Sequence, residues 1–368
     1  MRGAIVVDNG SGRVKAGFAG DDLPRVVFPS MIGRPKAFNR ALPSCGTREE
    51  YIGEDAQIWR GALALTYPIR RGVVQDWDGM AKILHHTFAI EMHISAEERA
   101  MLLMEPPLNP TANRERMAEL LFETFQVPAM YVGMPAVLAL YTTGRSLSGC
   151  VLDSGEGVTH SVPVFEGRAL RHAITRMDVG GGDLTDYMTT LLAERGHYFT
   201  TTVDREIVRE VKERTTFVAV DGSMTTACES TSFELPDGIV VELRDERVRA
   251  PEVLFQPWLM GKEAPGIHES LASTISNCDI DTRRDLYSNV VLSGGNTLFH
   301  GLPERLTNEL NALTPSSVNV RVVAPPHRQF AAWTGGSILA SLSTFQQMCI
   351  SKADYDDCGS SIVHRKGF

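Results

Sequence analysis

The two halves of the chain carry the same short pattern, an apolar run that ends in an acidic, glycine-containing turn. Residues 4–7 read Ala-Ile-Val-Val and are followed by Asp-Asn-Gly-Ser-Gly at residues 8–12, here called the N-terminal turn. Residues 150–152 read Cys-Val-Leu and are followed by Asp-Ser-Gly-Glu-Gly at residues 153–157, here called the central turn. Short apolar runs bounded by turn residues are typical of buried strands. The repetition therefore predicts two related domains.

Helical patterns alternate with the predicted strands, which favours an α/β fold. Asp76, Asn113 and Asp204 each precede a helical pattern and are predicted to be N-caps. Two polar stretches, residues 38–50 and 222–232, are predicted to be exposed loops. The length of 368 residues fits about two domains of roughly 150 residues each.

Composition excludes several classes of protein. The net charge of −9 argues against a domain that binds nucleic-acid phosphates, because such domains concentrate Lys and Arg. The six cysteines include no Cys-x-x-Cys pair, so we expect free thiols rather than a zinc site or a disulfide framework. The longest apolar run, near residues 131–141, is shorter than the ~20 residues of a membrane span. The N-terminus lacks the pattern of a signal peptide, so we expect a cytoplasmic protein.

Each of the two turns combines groups that suit a polyphosphate. Glycines let backbone N–H groups approach an anion closely, and Ser11 and Ser154 add hydroxyl donors. Asp8 and Asp153 are placed to hold Mg²⁺ through water, because Mg²⁺ keeps most of its water ligands. Lys15 supplies a positive charge to the phosphates. One such turn alone is better explained as an ordinary tight turn, whereas two copies, each led by an Asp, make a phosphate role as well supported as that alternative.

Three further features fit a nucleotide but are weaker when taken alone. Residues 180–183 precede a helix, whose N-terminus favours anions or close ligand packing, and residues 293–297 follow an apolar strand. Arg209, Lys212 and Glu213 fall on one helical face. The alternatives are simple tight turns and a solvent-exposed charged face. The chain contains no Walker-type P-loop, dinucleotide-binding fingerprint or nucleophile elbow.

These residues resemble the actin family, and the resemblance extends over nearly the whole chain. The stretches that carry it are residues 8–12, 15–22, 151–160, 205–209, 291–295, 335–348 and 361–366. The resemblance implies a two-lobed α/β fold, the actin-like ATPase fold. Each lobe is then a duplicated α/β domain, and ATP or ADP with Mg²⁺ or Ca²⁺ occupies the cleft between them.

The resemblance also implies a division of the chain. The first lobe is expected at residues 1–135, with an insertion subdomain at about 31–68. The second lobe is expected at 136–334, with an insertion subdomain at about 180–262. Residues 335–368 are expected to return to the first lobe.

Binding residues follow from the resemblance by residue match. The phosphates are expected to meet Ser11, Gly12, Lys15, Ser154, Gly155, Glu156 and Gly157. The adenosine is expected to lie among Gly181, Arg209, Lys212, Glu213, Gly295, Leu298 and Phe299. Asp8 and Asp153 are expected to organise the waters of the metal ion. Leu298 and Phe299 replace the family's usual Met and Tyr, and Gln329 replaces its usual Lys, so affinity is expected to change while the pocket is kept.

The most consequential departure from the family pattern is Pro135. Family members that hydrolyse ATP place a Gln there, which orients the attacking water, whereas proline has neither a side-chain hydrogen bond nor an N–H. Positioning supplies most of the protein's contribution to phosphoryl transfer, so the loss could cost about 2–4 kcal/mol, or roughly 10²–10³ in rate. His160, which matches the other residue of the family's water network, is retained. We therefore expect tight ATP binding with slow or absent hydrolysis.

Further departures fall on segments that make polymer contacts in the family. Arg70 and Arg71 replace a Glu-His pair, the loop at residues 36–50 is altered, and the segment at 222–232 is shorter. The family's acidic leader is absent, which puts conventional myosin binding in doubt. The loop at residues 258–266 matches the family's plug and keeps an apolar tip, yet it carries Lys262 and Pro265.

Three functions remain open at this point. The favoured one is an ATP-binding structural subunit of a larger assembly, with other actin-family subunits or a cytoskeletal, axonemal or chromatin-remodelling complex as partners. The alternative is a filament-forming actin that hydrolyses ATP on polymerisation. A small-molecule kinase with the same two-lobed fold would need a further catalytic Asp, for which the sequence offers no candidate. We expect a cytoskeletal location, with the axoneme favoured over the nucleus, and no direct contact with nucleic acid or membrane.

Overall fold

A computed structural model of the chain describes residues 3–36, 48–144, 146–223 and 230–365. The chain forms two compact units. Unit 1 comprises Met1–Leu147, Glu166–Ala169 and His327–Phe368, and unit 2 comprises Ser148–Phe165 and Leu170–Pro326. Residues 136–147, 166–169 and 327–334 thus lie in unit 1, whereas the expected lobe boundaries place them in the second lobe. Parts of the two predicted loops, residues 37–47 and 224–229, lie outside the described residues.

The strands of the described residues alternate with helices along the chain. The strands are β1 (Ile5–Asn9), β2 (Arg13–Phe18), β3 (Val26–Pro29), β4 (Ile32–Pro35), β5 (Tyr51–Ile52), β6 (Leu63–Thr66), β7 (Ile69–Arg70), β8 (Val73–Val74), β9 (Met101–Met104), β10 (Ala129–Gly133), β11 (Gly149–Ser154), β12 (Thr159–Phe165), β13 (Arg168–Ala169), β14 (Thr175–Met177), β15 (Thr231–Glu234), β16 (Val240–Leu243), β17 (Val290–Ser293), β18 (Val322–Val323) and β19 (Ile350–Ser351).

The helices include two that continue into a π-helical turn, at His86–Glu91 and at Leu120–Thr124. The α-helices are α1 (Glu54–Ile58), α2 (Trp77–His85), α3 (Thr111–Glu119), α4 (Pro135–Tyr141), α5 (Gly181–Glu194), α6 (Thr202–Thr215), α7 (Glu246–Glu252), α8 (Ile267–Ser276), α9 (Ile280–Ser288), α10 (Leu302–Leu313), α11 (Ala331–Ser341), α12 (Phe345–Met348) and α13 (Lys352–Cys358). In the described part of the chain, no helix has the length and apolar character needed to cross a membrane.

Unit 1 is organised around a six-stranded sheet in the order β19-β10-β9-β1-β2-β3. β1 and β2 form an antiparallel hairpin, and β9 runs parallel to β1 on its other side. The core beside this sheet contains Phe28, Phe122 and Trp333, all nearly inaccessible to solvent. The N-terminal turn connects β1 to β2, so the sheet fixes both of its ends.

Unit 2 repeats this arrangement around the order β12-β11-β17-β18, with β14 also paired to β12. β11 and β12 form an antiparallel hairpin, and β17 runs parallel to β11. The central turn connects β11 to β12. Each predicted turn therefore lies at the end of a hairpin whose first strand has a parallel neighbour, which confirms the prediction of an α/β fold.

The predicted helix starts have mixed outcomes. Asp76 caps α2 as expected, because its Oδ1 accepts from the amide of Gly79 at 3.0 Å. The prediction for Asn113 is wrong: α3 begins at Thr111, and the side-chain amide of Asn113 donates to the Val74 carbonyl instead. The prediction for Asp204 is also wrong, because Thr201 is the N-cap of α6 and Asp204 completes a capping box with it.

Helices α4 and α11 pack closely within unit 1 because glycine lies at their contact. A β-carbon at Gly335 would collide with the backbone carbonyl of Leu138. A β-carbon at Gly336 would lie 2.7 Å from the Met104 side chain. This contact fixes α4, whose first residue is Pro135.

The cysteines of the described residues are free thiols. Cys150, Cys278 and Cys349 are buried, and Cys358 is exposed. Cys45 and Cys228 lie outside the described residues.

Candidate functional site

The N-terminal turn brings together Asp8 and Lys15, two of the predicted site residues. They face each other in the register of β1 and β2, and Lys15 Nζ donates to Asp8 Oδ2 at 2.7 Å. Both side chains keep some exposure, 18% for Lys15 and 14% for Asp8. The amide of Gly10 donates to the Arg13 carbonyl at 3.1 Å and closes the hairpin. The N-terminal turn therefore has the Lys15 ammonium and the Asp8 carboxylate side by side and partly exposed to solvent.

Ser11 and Gly12 are tied to neighbouring segments of unit 1. Ser11 Oγ accepts from the amide of Gly72 at 2.9 Å, and the Gly12 carbonyl accepts from the amide of Ser30 at 3.0 Å. Gly72 follows Arg71 in the tight turn between β7 and β8, where Arg71 has a positive φ of 49°. The Ser11 hydroxyl keeps its own hydrogen, which it can donate to a phosphate oxygen.

Asn9 is a site residue that the sequence reasoning did not single out. Its Oδ1 and Nδ2 are both buried, and neither has a hydrogen-bond partner within the described ranges. A buried amide without partners costs free energy that a polar ligand can recover. The side-chain oxygen Oε1 of Gln329 is likewise buried and has no hydrogen-bond partner among the described residues. The signal for Asn9 in the sequence was its place inside the Asp-Asn-Gly motif.

In the central turn the hydroxyl of Ser154 lies in a hydrogen-bond network. Its Oγ lies 2.7 Å from Thr159 Oγ1, which donates onward to the Val179 carbonyl. The side-chain amide of Asn296 donates to Ser154 Oγ and, at 2.8 Å, to the Gly155 carbonyl. Asn296 is thus a second residue that positions the turn and was absent from the predicted site.

The start of α5 is bound directly to the central turn. The amide of Gly181 donates to the Gly155 carbonyl and that of Gly182 to the Glu156 carbonyl, each at 2.9 Å. A β-carbon at Gly181 would lie 2.5 Å from Glu156 Oε2, so a larger residue there would displace the Glu156 side chain. The two amides order the turn, and so they are not donors to an anion as a bare helix N-terminus would be.

A buried basic group lies next to Glu156. Lys212 Nζ donates to the Gly181 carbonyl at 2.8 Å and to Thr185 Oγ1 at 3.0 Å, and burial lowers its pKa. Burial also raises the pKa of Glu156, against the opposing attraction of Lys212 and Arg209. The alternative of a solvent-exposed charged face is wrong for Lys212 and Arg209, which are buried, whereas Glu213 is exposed.

The segment after β17 completes the unit 2 group. Gly294 has a φ of 89°, and a β-carbon there would collide with the Ser154 carbonyl. Gly295 starts a short 3-10 helix that ends at Leu298, whose side chain is 45% exposed. Phe299 packs on the core of unit 2. Unit 2 thus places Gly295 and Asn296 next to the central turn and leaves the Leu298 side chain facing solvent.

His160 and Pro135 occupy buried positions in different units. His160 pairs with Asp153 in the register of β11 and β12, and it pairs with Arg176 on β14. Burial, followed by the charge of Arg176, lowers the pKa of His160 to about 4, so its ring is neutral at pH 7. Its buried Nε2 has no partner in the part of the chain that the structure covers. Pro135 is buried as the first residue of α4, where a missing N–H is tolerated.

The residues that could attend a metal ion are the carboxylates of Asp8 and Asp153. Among the described residues, no three His, Cys, Asp or Glu side chains cluster in a way that could hold a metal ion. In either unit, a single carboxylate suits Mg²⁺ bound through its waters, because this ion keeps several waters and takes few protein ligands.

Comparison with known protein families agrees with this arrangement. The family model described as Actin matches residues 1–368. The match covers the whole chain, including both turns, Pro135 and His160. The observed mixed α/β architecture is consistent with the two-lobed actin-like fold. The chain belongs to the actin family.

Proposed function

We propose that this chain is an ATP-binding structural subunit of a larger assembly, in which bound ATP is hydrolysed slowly or not at all. Proteins of the actin family generally bind ATP or ADP with a divalent metal. A nucleotide that binds only the folded state stabilises it by mass action, without any need for turnover. ATP in this protein would then be a structural ligand.

Nucleotide binding is supported by the polar groups of the two turns. In unit 1, Lys15 offers a positive charge, Ser11 a hydroxyl hydrogen and Asn9 a buried amide without partners among the described residues. In unit 2, the central turn is ordered by Asn296 and by the amides of Gly181 and Gly182. A turn whose backbone is already ordered loses less conformational entropy when it binds an anion.

A divalent cation fits the carboxylates present. Asp8 and Asp153 would bind waters of the ion, and the ion would neutralise charge on the phosphate oxygens. Lys15 would share this role, since its ammonium lies 2.7 Å from Asp8. A lysine and a metal ion next to one polyphosphate are a recurring arrangement in phosphate binding.

Slow hydrolysis is supported by one observation, the position of Pro135. Its ring is buried at the start of α4, and it has no group that can hold a water by a side-chain hydrogen bond. The family's usual Gln at this position would supply such a group. Without it, the attacking water loses a positioning contact, which is the main contribution of a protein to phosphoryl transfer.

The second candidate, a filament-forming actin that hydrolyses ATP, is favoured by His160. Its neutral ring and unpartnered Nε2, as far as the described residues go, leave a nitrogen able to accept a hydrogen bond from water. One such contact restrains a water less than two would. The two candidates therefore differ in the rate of hydrolysis.

The test is phosphate release from ATP-loaded protein after addition of Mg²⁺ and salt, at several protein concentrations. The proposal expects slow or absent release at every concentration while ATP stays bound, and release by Pro135→Gln at about 10² times the rate of the unchanged protein or more. Pro135→Ala is the matched control, because it removes the ring and gains the same backbone N–H as Pro135→Gln but adds no side-chain amide, and its rate should stay low. Release by the unchanged protein that begins above a threshold concentration would overturn the proposal and support the filament-forming actin.

We also propose that the partners are other actin-family subunits or a cytoskeletal, axonemal or chromatin-remodelling complex. Support comes from the family match and from the altered residues Arg70 and Arg71 at the β7–β8 turn. Size-exclusion chromatography in Mg-ATP and salt separates the candidates, because a persistent monomer fits a subunit that requires a partner, whereas filaments fit the alternative.

A further inference from the structure

A loop of unit 2 presents an apolar tip next to the start of α5. This loop, residues 257–266 and here called the Trp258 loop, begins with a short 3-10 helix at Pro257–Met260. The Trp258 side chain is 63% exposed, whereas Leu259 and Met260 pack against the core of unit 2. The amides of Gly261 and Lys262 donate to carbonyls of the same loop, at Trp258 and Pro257.

Lys262 fastens this loop to the body of unit 2. Its ammonium donates to Asp183 Oδ1 and to the Asp178 carbonyl, each at 2.6 Å. The Lys262 side chain is 29% exposed and that of Asp183 is 12% exposed. Charge-assisted hydrogen bonds that are partly shielded from water are about twice as strong as neutral ones. The Lys262 contacts are therefore a substantial part of what holds the loop.

Asp183 connects the loop to the central turn. Its second oxygen, Oδ2, accepts from the amide of Gly180 and so caps α5. The next two amides of α5, those of Gly181 and Gly182, donate to the carbonyls of the central turn. A continuous series of hydrogen bonds thus leads from Lys262 through Asp183 and the first turn of α5 to the turn proposed to bind phosphate, all of it within unit 2.

We infer that Lys262 is a latch that closes the Trp258 loop and couples its opening to the order of the central turn. When the latch is closed, the loop is bound to the body of unit 2, and the Asp183 carboxylate accepts from both the Lys262 ammonium and the Gly180 amide. When the latch opens, the loop keeps the packing of Pro257, Leu259 and Met260, its own backbone hydrogen bonds and the bond from the Gly266 amide to Glu269. The Asp183 carboxylate, which caps α5, then loses its bond to the Lys262 ammonium. The contacts that close the loop do not involve a nucleotide. The effect of the latch on nucleotide binding, in contrast, rests on the proposed function.

The test of the latch is amide hydrogen exchange on the full chain without added nucleotide. Lys262→Met keeps most of the side-chain length and removes the charge. The backbone amides at positions 261 and 262 should then exchange about tenfold faster, or more, than in the unchanged protein. Lys262→Arg should restore much of the protection. Lys352→Met, which breaks an exposed pair with Asp356 at 2.9 Å, is the control and should leave the loop unchanged. Equal exchange of the loop amides in Lys262→Met and the unchanged protein would overturn the latch.

The coupling has its own readout in the same experiment. Faster exchange at the amides of Gly181 and Gly182 in Lys262→Met supports coupling, and unchanged exchange there refutes it while leaving the latch intact. ATP affinity is then measured on the same variants, and coupling expects weaker binding by Lys262→Met than by Lys262→Arg. If the unchanged protein binds no ATP, the proposed function fails, but the exchange results still decide whether the latch and its coupling exist.

Discussion

The ammonium of Lys15 lies 2.7 Å from Oδ2 of Asp8, and the two residues face each other across β1 and β2. From the sequence, Lys15 is expected to bind the phosphates and Asp8 the waters of the metal ion. In the structure the two side chains bind each other. This pairing keeps both charges partly satisfied before a ligand arrives, so a bound polyphosphate and cation would have to exchange partners with them. Substitution of either residue is therefore expected to change the affinity for ATP and its metal ion.

Lys15→Met is expected to weaken ATP binding by about 10–100-fold, because a charge-assisted hydrogen bond contributes about 1.5–3 kcal/mol. The measurement is displacement of a fluorescent ATP analogue at fixed Mg²⁺. Lys82→Met is the matched control. It removes another lysine of unit 1, whose ammonium lies 2.6 Å from Glu50 Oε1 and which is not part of the N-terminal turn. Equal affinities of Lys15→Met and the unchanged protein would remove Lys15 from the proposed site.

The buried pair of Glu252 and Arg305 is expected to be the most sensitive ion pair of unit 2. Glu252 is fully buried, and Arg305 also donates to the Ala219 carbonyl and stacks on Phe255. Arg305→Met leaves the carboxylate without its cation and should cost about 3–5 kcal/mol of unfolding free energy. Arg214→Met, which breaks an exposed pair with Glu210, should cost about 1 kcal/mol or less.

The same variant has a pH signature. Burial already raises the pKa of Glu252, and Arg305 is the main group that opposes this rise. Without the arginine, the folded protein should take up a proton at Glu252 more readily than the unfolded chain. The loss of stability in Arg305→Met should therefore be smaller at pH 5 than at pH 8 in chemical unfolding. An equal loss at both values would mean that the destabilisation comes from lost packing and not from the charge.

Sequence patterns located the two turns because their signal is local: an apolar strand, an acidic residue and glycines, all adjacent in the chain. The start of α6 was misplaced because Thr201 and Asp204 are both good capping residues, and only the fold shows which one precedes the helix. The burial of Lys212 could not be read from its charged neighbours either. It depends on the packing of α6 against α5, which a helical pattern does not encode.

Acid should destabilise the protein partly through His160. The unfolded chain takes up a proton at this ring near pH 6.5, whereas the folded protein does so only near pH 4, because burial disfavours the charged form. The stabilisation by neutral His160 is thus complete above pH 6.5 and is lost as the pH falls toward 4. Its size is on the order of 3 kcal/mol. Urea unfolding between pH 7.5 and pH 5 should show a shallower loss for His160→Gln than for the unchanged protein, and parallel losses would contradict the assignment.

The packing of α4 against α11 should tolerate no added carbon at Gly335. A β-carbon there collides with the Leu138 carbonyl, which is backbone and cannot move aside as a flexible side chain does. Gly335→Ala should therefore cost about 3 kcal/mol or more in thermal or chemical unfolding. Gly61→Ala is the control, because a β-carbon at Gly61 meets no atom of the described structure within 4 Å. Since α4 begins at Pro135, Gly335→Ala should also shift the residue that the proposed function depends on. A Gly335→Ala protein as stable as Gly61→Ala would show that the two helices can separate at little cost, and the glycine contact would then not be what fixes Pro135 in place.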